Sequence, residues 1–272
     1  MSTRTRLFTL ACFGALTVAA ATAAAGTKGF KVTSSLDGKT VLPHRIHWMA
    51  FPTIPMSQIK AVDYLVDGKL RWIGHGSPST YADTGGYLVT SWLTPGLHTF
   101  TIRVLARDGA TASDTVTARV LPPPTVPAAL AGTWKRTVTN TSAAPPPGSA
   151  GNPTDTLTPP GTYTISFEPQ WIHDVFPCTT SPCRFVSSTG AGGLFDDDWI
   201  PGPKTFYVQG EVTFTVADAS ARLNGWWCQT WGPSATYSWS VNGNTLTLAP
   251  IGGMDACGIR GFIWTGRWTR VG

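Results

Sequence analysis

The 272-residue sequence predicts an all-β chain, an antiparallel β-sandwich followed by an antiparallel meander barrel. Three observations carry this. Helix formers are scarce: glutamate occurs only at Glu168 and Glu211, while 29 glycines and 22 prolines interrupt the long stretches. Thr, Val, Tyr, Phe and Trp recur in short alternating runs bounded by turn residues, the pattern of half-buried strands. Leu121-Pro122-Pro123-Pro124-Thr125-Val126-Pro127 is a proline-rich stretch, stiff and extended, that divides the chain.

The start of the chain reads as a secretory signal over residues 1–25. Arg4 and Arg6 form a basic beginning, Leu7 to Ala21 an apolar middle, and Ala21-Thr22-Ala23-Ala24-Ala25 a small-residue exit. A membrane anchor would want about 20 apolar residues, and this run is shorter and broken by Gly14. A lipoprotein anchor on Cys12 would follow a full apolar region, and Thr9-Leu10-Ala11-Cys12 comes too early. The expectation is a secreted, extracellular protein, with cell-surface association open and no membrane span after the signal is removed. The chain carries +5, and losing the two signal arginines leaves +3. Residues 27–122 hold ten Lys/Arg against six Asp/Glu, and residues 127–272 hold eight against nine. Neither half has a dense basic stripe, which excludes a nucleic-acid footprint. The basic first half leaves contact with an anionic cell envelope open.

The first domain is expected over 27–121. Ala61 to Val66 runs into Asp67-Gly68, the strongest short hairpin signal, and Lys69-Leu70-Arg71-Trp72 returns. Tyr87 to Trp92, a turn at Thr94-Pro95-Gly96, Leu97 to Val104, a turn at Asp108-Gly109 and Thr115 to Val120 follow. About seven strands fit this length, the spacing of a sandwich. The stretch VDYLVDGKLRW with LVTSWLTPGLHTFTIRVLARDGATASDTVTARV resembles the bacterial immunoglobulin-like modules of exported proteins. The resemblance implies a spacer or weak adhesion element, and the fold alone implies no chemistry.

After the linker at 122–127, the second domain is expected over 128–272, with a long Pro/Gly/Ser/Thr loop at about 141–161. Its strands are Gly132 to Lys135, Gly161 to Phe167, Phe206 to Val216, Tyr237 to Val241, a turn at Asn242-Gly243-Asn244, Thr245 to Leu248, and Phe262 to Arg270. Strongly patterned first and last strands favour closure, which removes sheet edges. The opening GTWK and the final Trp- and Arg-bearing strand resemble the lipocalin and fatty-acid-binding barrels. That resemblance implies barrel closure by Trp134 under Arg267 or Arg270.

Four cysteines remain after the signal, Cys178, Cys183, Cys228 and Cys257, an even number in an exported chain. Three pairings are open; Cys178–Cys183 with Cys228–Cys257 is favoured. Zinc lacks a CxxC pair and a second histidine beside His173.

Nine of the twelve tryptophans lie in the second half. Trp226, Trp227 and Trp231, with Tyr237 and Trp239, form the expected ligand surface, since flat amphipathic indoles suit sugar rings or apolar ligands. The competing reading is a small barrel filled by large side chains. Acid–base candidates are Glu168, Asp174, Asp196, Asp197, Asp198 and Glu211, but Asp196 to Asp198 read as a solvated loop. His173 and Asp174 are strand neighbours that point apart, and His44 and His47 fall on opposite faces. No GxSxG elbow occurs. No catalytic residue, metal or cofactor is therefore assigned. The leading expectation is a non-enzymatic secreted protein whose barrel binds an apolar small molecule or a glycan. The alternatives are an exported hydrolase of envelope or environmental polymers and a purely structural envelope protein.

Overall fold

The computed structural model describes residues 29–74, 79–82, 87–138, 161–176, 193–210, 234–253, 255 and 258–271. For 175–176, 193–198, 210, 258–259 and 262 it describes the backbone alone. The expected signal segment (residues 1–25), all five cysteines and the Trp226–Trp231 patch lie outside the described residues, as does most of the expected loop at about 141–161.

The fold is almost entirely β. In the first half, β1 (Val32–Ser34), β2 (Val41–Leu42), β3 (Arg45–Ile46), β4 (Ala50–Pro52), β5 (Ile59–Val66), β6 (Lys69–Gly74), β7 (Leu88–Val89), β8 (Gly96–Ala106) and β9 (Thr111–Val120) form three sheets. The main sheet has the order β2-β9-β8-β5-β6, and β1-β4 and β3-β7 are two-stranded. Nine short and long strands replace the expected seven, because isolated pairs such as Arg45↔Val89 are too short to read from alternation. β5 shows why the main sheet has one buried face: Val62, Tyr64 and Val66 are buried while Lys60, Ala61, Asp63 and Leu65 are more open. Trp48, Tyr64, Tyr81 and Phe100 form the aromatic centre of this core.

The Asp67-Gly68 turn takes positive φ at both positions, 51° and 74°, as a two-residue primed turn requires. It does more than reverse the chain. Asp67 Oδ1 accepts the Thr99 N–H at 2.9 Å, and its Oδ2 lies 2.6 Å from His98 Nδ1. His98 Nε2 faces the Thr94 carbonyl at 2.7 Å. Both ring nitrogens meet acceptors, so the imidazolium form satisfies both. Burial opposes that charge, but the bonds to Asp67 and to Thr94 outweigh it and raise the His98 pKa.

Residues 121–127 join β9 to the second half without regular structure. There β10 (Gly132–Val138), β11 (Gly161–Phe167), β12 (Trp171–Phe176), β13 (Gly193–Pro201), β14 (Thr205–Gly210), β15 (Ser234–Asn242), β16 (Thr245–Pro250) and β17 (Gly266–Arg270) pair in sequence. β10 meets β17 through Trp134↔Arg270 and Lys135↔Thr269, closing the barrel. Eight strands leave an interior just wide enough for side chains to fill.

Two expectations are corrected here. Asp196 to Asp198 are not a loop: they lie within β13, opposite His173, Ile172 and Trp171 of β12. A ladder with β12 along all three, joined at Asp197 and Asp198 by one with β14, outweighs the low strand propensity of aspartate. A short helix, α1 (Gly258–Trp264), also interrupts the meander before β17. Gly261 is what lets α1 approach: a Cβ there would sit 2.9 Å from the Asp255 Cβ. Arg136 donates to the carbonyls of Ile263 and Thr265 at the end of α1, neutralising helix-terminal acceptors.

A filled barrel and an aromatic seam

The barrel interior is occupied by its own side chains. Alternation along β11 turns Tyr163, Ile165 and Phe167 inward. They join Trp199, Phe206, Val208, Tyr237, Leu246, Leu248 and Trp264 in one core. Phe206 stacks on Tyr237 at 5.5 Å and 13°, and Trp264 lies against both. Several polar groups lie among them and bond to one another. Arg260, fully buried, holds Asp255 through Nε at 2.8 Å and through a second nitrogen at 3.0 Å. The Tyr237 hydroxyl donates to the same carboxylate at 2.6 Å. Trp264 Nε1 donates to Asp174 Oδ2 at 2.6 Å. A charge pair removed from water is tolerable only when its remaining donors and acceptors are satisfied, and this cluster ties α1 to β15 and β12.

The residues singled out from the sequence sort accordingly. Tyr237 is a core residue, its ring stacked and its hydroxyl engaged, and it offers no surface to a ligand. Trp239 is half-buried against the core, its Nε1 bonded to the Gly202 carbonyl at 3.1 Å. Trp226, Trp227 and Trp231 lie outside the described residues, as do Cys178, Cys183, Cys228 and Cys257. At the closure, Trp134 is fully buried under Arg270, whose guanidinium carbon is 4.1 Å from the ring centroid. Arg270 also donates to the carbonyls of Ala131 and Ala129. Arg267 is exposed and lies away from that role.

The outer wall of the barrel holds what sequence reasoning missed. Along β14 four consecutive residues, Phe206 to Gln209, are buried. Phe206 and Val208 face the interior, so Tyr207 and Gln209 must be covered from outside. The cover is the β3–β7 region of the first half. Gln209 Oε1 accepts the Tyr87 N–H at 2.9 Å and its Nε2 donates to the Tyr87 carbonyl at 2.8 Å, so one side chain completes both backbone groups. Tyr207 donates its hydroxyl to Gln209 Oε1 at 2.9 Å, and burial pushes the Tyr207 phenol well above its usual pKa. Ser91 Oγ donates to the Trp199 carbonyl at 2.8 Å. The Arg45 guanidinium lies over Tyr207 at 4.4 Å and over Tyr87 at 4.8 Å.

Beside this polar seam two indoles meet. Trp92, just after β7, stacks with Trp171, the first residue of β12, at 6.4 Å and 23°. Both are only partly buried. Arg71 of β6 places its guanidinium carbon 4.5 Å from the Trp92 ring centroid. Trp171 is held from behind. The Glu168 N–H donates to the Trp171 carbonyl at 2.9 Å, and the Glu168 carbonyl accepts Trp199 Nε1 at 2.8 Å. Two residues along the same face of β12, His173 Nε2 lies 3.4 Å from the Glu168 carboxylate. Asp174 points the other way into the core, so Glu168 and Asp174 are separated by the barrel wall and cannot act as one acid–base pair. No group of His, Cys, Asp and Glu among the described residues has the form of a metal site.

No protein family and no curated protein matches the chain in sequence. Among solved structures, it is similar to the fibronectin(III)-like modules of Clostridium thermocellum CbhA, at 20% identity over 34% of this chain and 97% of that one, with a TM-score of 0.27. It is also similar to the endo-β-1,4-mannanase of Thermotoga petrophila, at 13% identity over 36% of this chain, with a TM-score of 0.28. The chain spans 21% of the mannanase.

Proposed function

We propose that this protein is an exported, non-enzymatic glycan-binding protein. Its contact surface is the outer seam between the immunoglobulin-like first half and the lipocalin-like barrel, not the barrel interior. The observation that carries this reading is the Trp92–Trp171 pair: two part-exposed indoles, nearly parallel, held by a hydrogen-bonded junction. Indole faces match the apolar faces of pyranose rings, and a rigid platform binds at lower entropic cost than a mobile one. The filled core turns the barrel from a container into a support. The test is binding of the full chain to a panel of polysaccharides by affinity electrophoresis, with Trp171→Ala beside it. Retardation by at least one glycan, weakened about tenfold or more in Trp171→Ala, is expected for a central aromatic contact. Equal retardation of both proteins, or none by any glycan, refutes it.

A second reading, an exported hydrolase, is favoured by one observation. The β12–β13 register sets Asp196 opposite His173 and Asp198 opposite Trp171, beside Glu168. Release of reducing ends from a bound polysaccharide, lost in Glu168→Gln, would support it over simple binding.

A further inference from the structure

Resting on the reading above, we infer that the glycan taken at this seam carries carboxylate groups, and that Arg71 is the residue that binds them. The inference comes from how the arginines of this protein are satisfied. Arg103 is paired with Asp63 at 2.6 Å, Arg260 with Asp255, and Arg136 and Arg270 donate to backbone carbonyls. Arg71 differs. Among the described residues its side chain has no carboxylate partner and no hydrogen bond; its guanidinium lies over Trp92, and its Nε is buried without an acceptor.

A half-buried cation with unmet donors is costly unless something completes it. Contact with Trp92, 4.5 Å from guanidinium carbon to ring centroid, restrains the guanidinium against the indole. A planar fork held in that way matches a carboxylate through two parallel N–H···O bonds. The ring that would carry this carboxylate has its own support in the neighbouring part-exposed indole of Trp171. The far end of the face sets the orientation: Glu168 is an exposed carboxylate, its side chain 56% accessible, next to His173. It disfavours a second acid there and favours the acid at the Arg71 end. The excess of Lys/Arg over Asp/Glu in residues 27–122 attracts a polyanion to the same side. A uronic-acid polymer has this chemistry.

The probes are a polygalacturonate oligosaccharide and its carboxyl-reduced, uncharged counterpart, titrated into the full chain by calorimetry. Wild type is expected to bind the acidic form at least about tenfold more tightly than the reduced one, the order of a charge-assisted bidentate contact. Arg71→Gln should abolish that preference while leaving affinity for the reduced form within about twofold. Arg71→Lys, which keeps the charge but not the fork, should recover less than half of the lost free energy. Lys69→Gln, which removes a charge from the same hairpin, should leave the preference intact. Unchanged melting curves for all variants confirm folding. An acidic preference that survives Arg71→Gln, or falls equally in Lys69→Gln, overturns the assignment to Arg71. Tight binding of the reduced form with no acidic preference overturns this inference and leaves glycan binding standing; binding of neither form overturns this inference, and glycan binding falls with it only if no polysaccharide of the panel retards the chain.

Discussion

Replacing Gln209 by alanine tests the seam that presents the tryptophans. Gln209 is fully buried and makes three hydrogen bonds: two to the Tyr87 backbone at 2.9 and 2.8 Å and one from Tyr207 at 2.9 Å. Each bond is worth about 1 kcal/mol net, and a partner left buried without an acceptor or donor costs about 1–3 kcal/mol. Water entering the truncated site recovers part of this, so Gln209→Ala should destabilise the chain by about 2–4 kcal/mol. For a protein of this length that lowers Tm by roughly 4–16 °C. Gln209→Glu adds a pH signature. A carboxylate cannot donate to the Tyr87 carbonyl, and burial would raise its pKa above the unfolded value. The variant should therefore be most stable below the usual glutamate pKa and lose stability as pH rises through the raised one. The assay is urea denaturation followed by tryptophan fluorescence at several pH values. A loss below about 0.5 kcal/mol in Gln209→Ala, with no pH dependence in Gln209→Glu, would refute the contribution assigned to these bonds.

Three further outcomes follow from the packing. Arg270→Ala should cost about 2–4 kcal/mol, through its cation–π contact with Trp134 and its two carbonyl bonds, whereas exposed Arg267→Ala should stay within about 0.5 kcal/mol by the same denaturation assay. Gly261→Ala should cost about 1–3 kcal/mol, because its Cβ would meet the Cβ of buried Asp255 at 2.9 Å; a neutral change in Tm would contradict the close approach of α1. The His98–Asp67 pair has a defined pH window. The raised His98 pKa makes its contribution complete below 6.5 and lost as pH rises through the folded value. The Asp67 pKa is lowered: burial opposes this, but the Thr99 and His98 bonds prevail, so its contribution is present above 3.8 and lost as pH falls. Wild type should thus exceed His98→Gln most between those limits, by at most about 1 kcal/mol given the half-exposed Asp67, as thermal melts from pH 3 to 9 would show.

Alternation and turn chemistry made much of the fold legible. The Asp67-Gly68 and Asn242-Gly243-Asn244 turns fall where the hairpins reverse, and the patterned ends of the second half meet at Trp134↔Arg270. What was not legible depends on long-range pairing. Asp196 to Asp198 form a strand only because β12 and β14 flank them. The residues of α1, with glycines at both 258 and 261, have poor helix propensity, and the helix is held by the Asp255–Arg260 pair and Arg136 instead. The seam was hidden for the same reason. Local pattern cannot show that Gln209 meets Tyr87 across more than a hundred residues, or that Trp92 and Trp171 share a face. One signal was present: Phe206-Tyr207-Val208 is apolar without alternation, which marks a strand covered on both sides.

A ligand at the outer seam should leave the barrel interior untouched. The most direct measurement is a two-dimensional NMR titration of the indole N–H resonances of the full chain with a galacturonate oligosaccharide. Shifts are expected for Trp92 and Trp171, with Trp134, Trp264 and Trp268 unmoved because their indoles are bonded inside the core. Shifts at Trp264 and Trp268 with Trp92 and Trp171 silent would place the ligand inside the barrel and contradict binding at the seam.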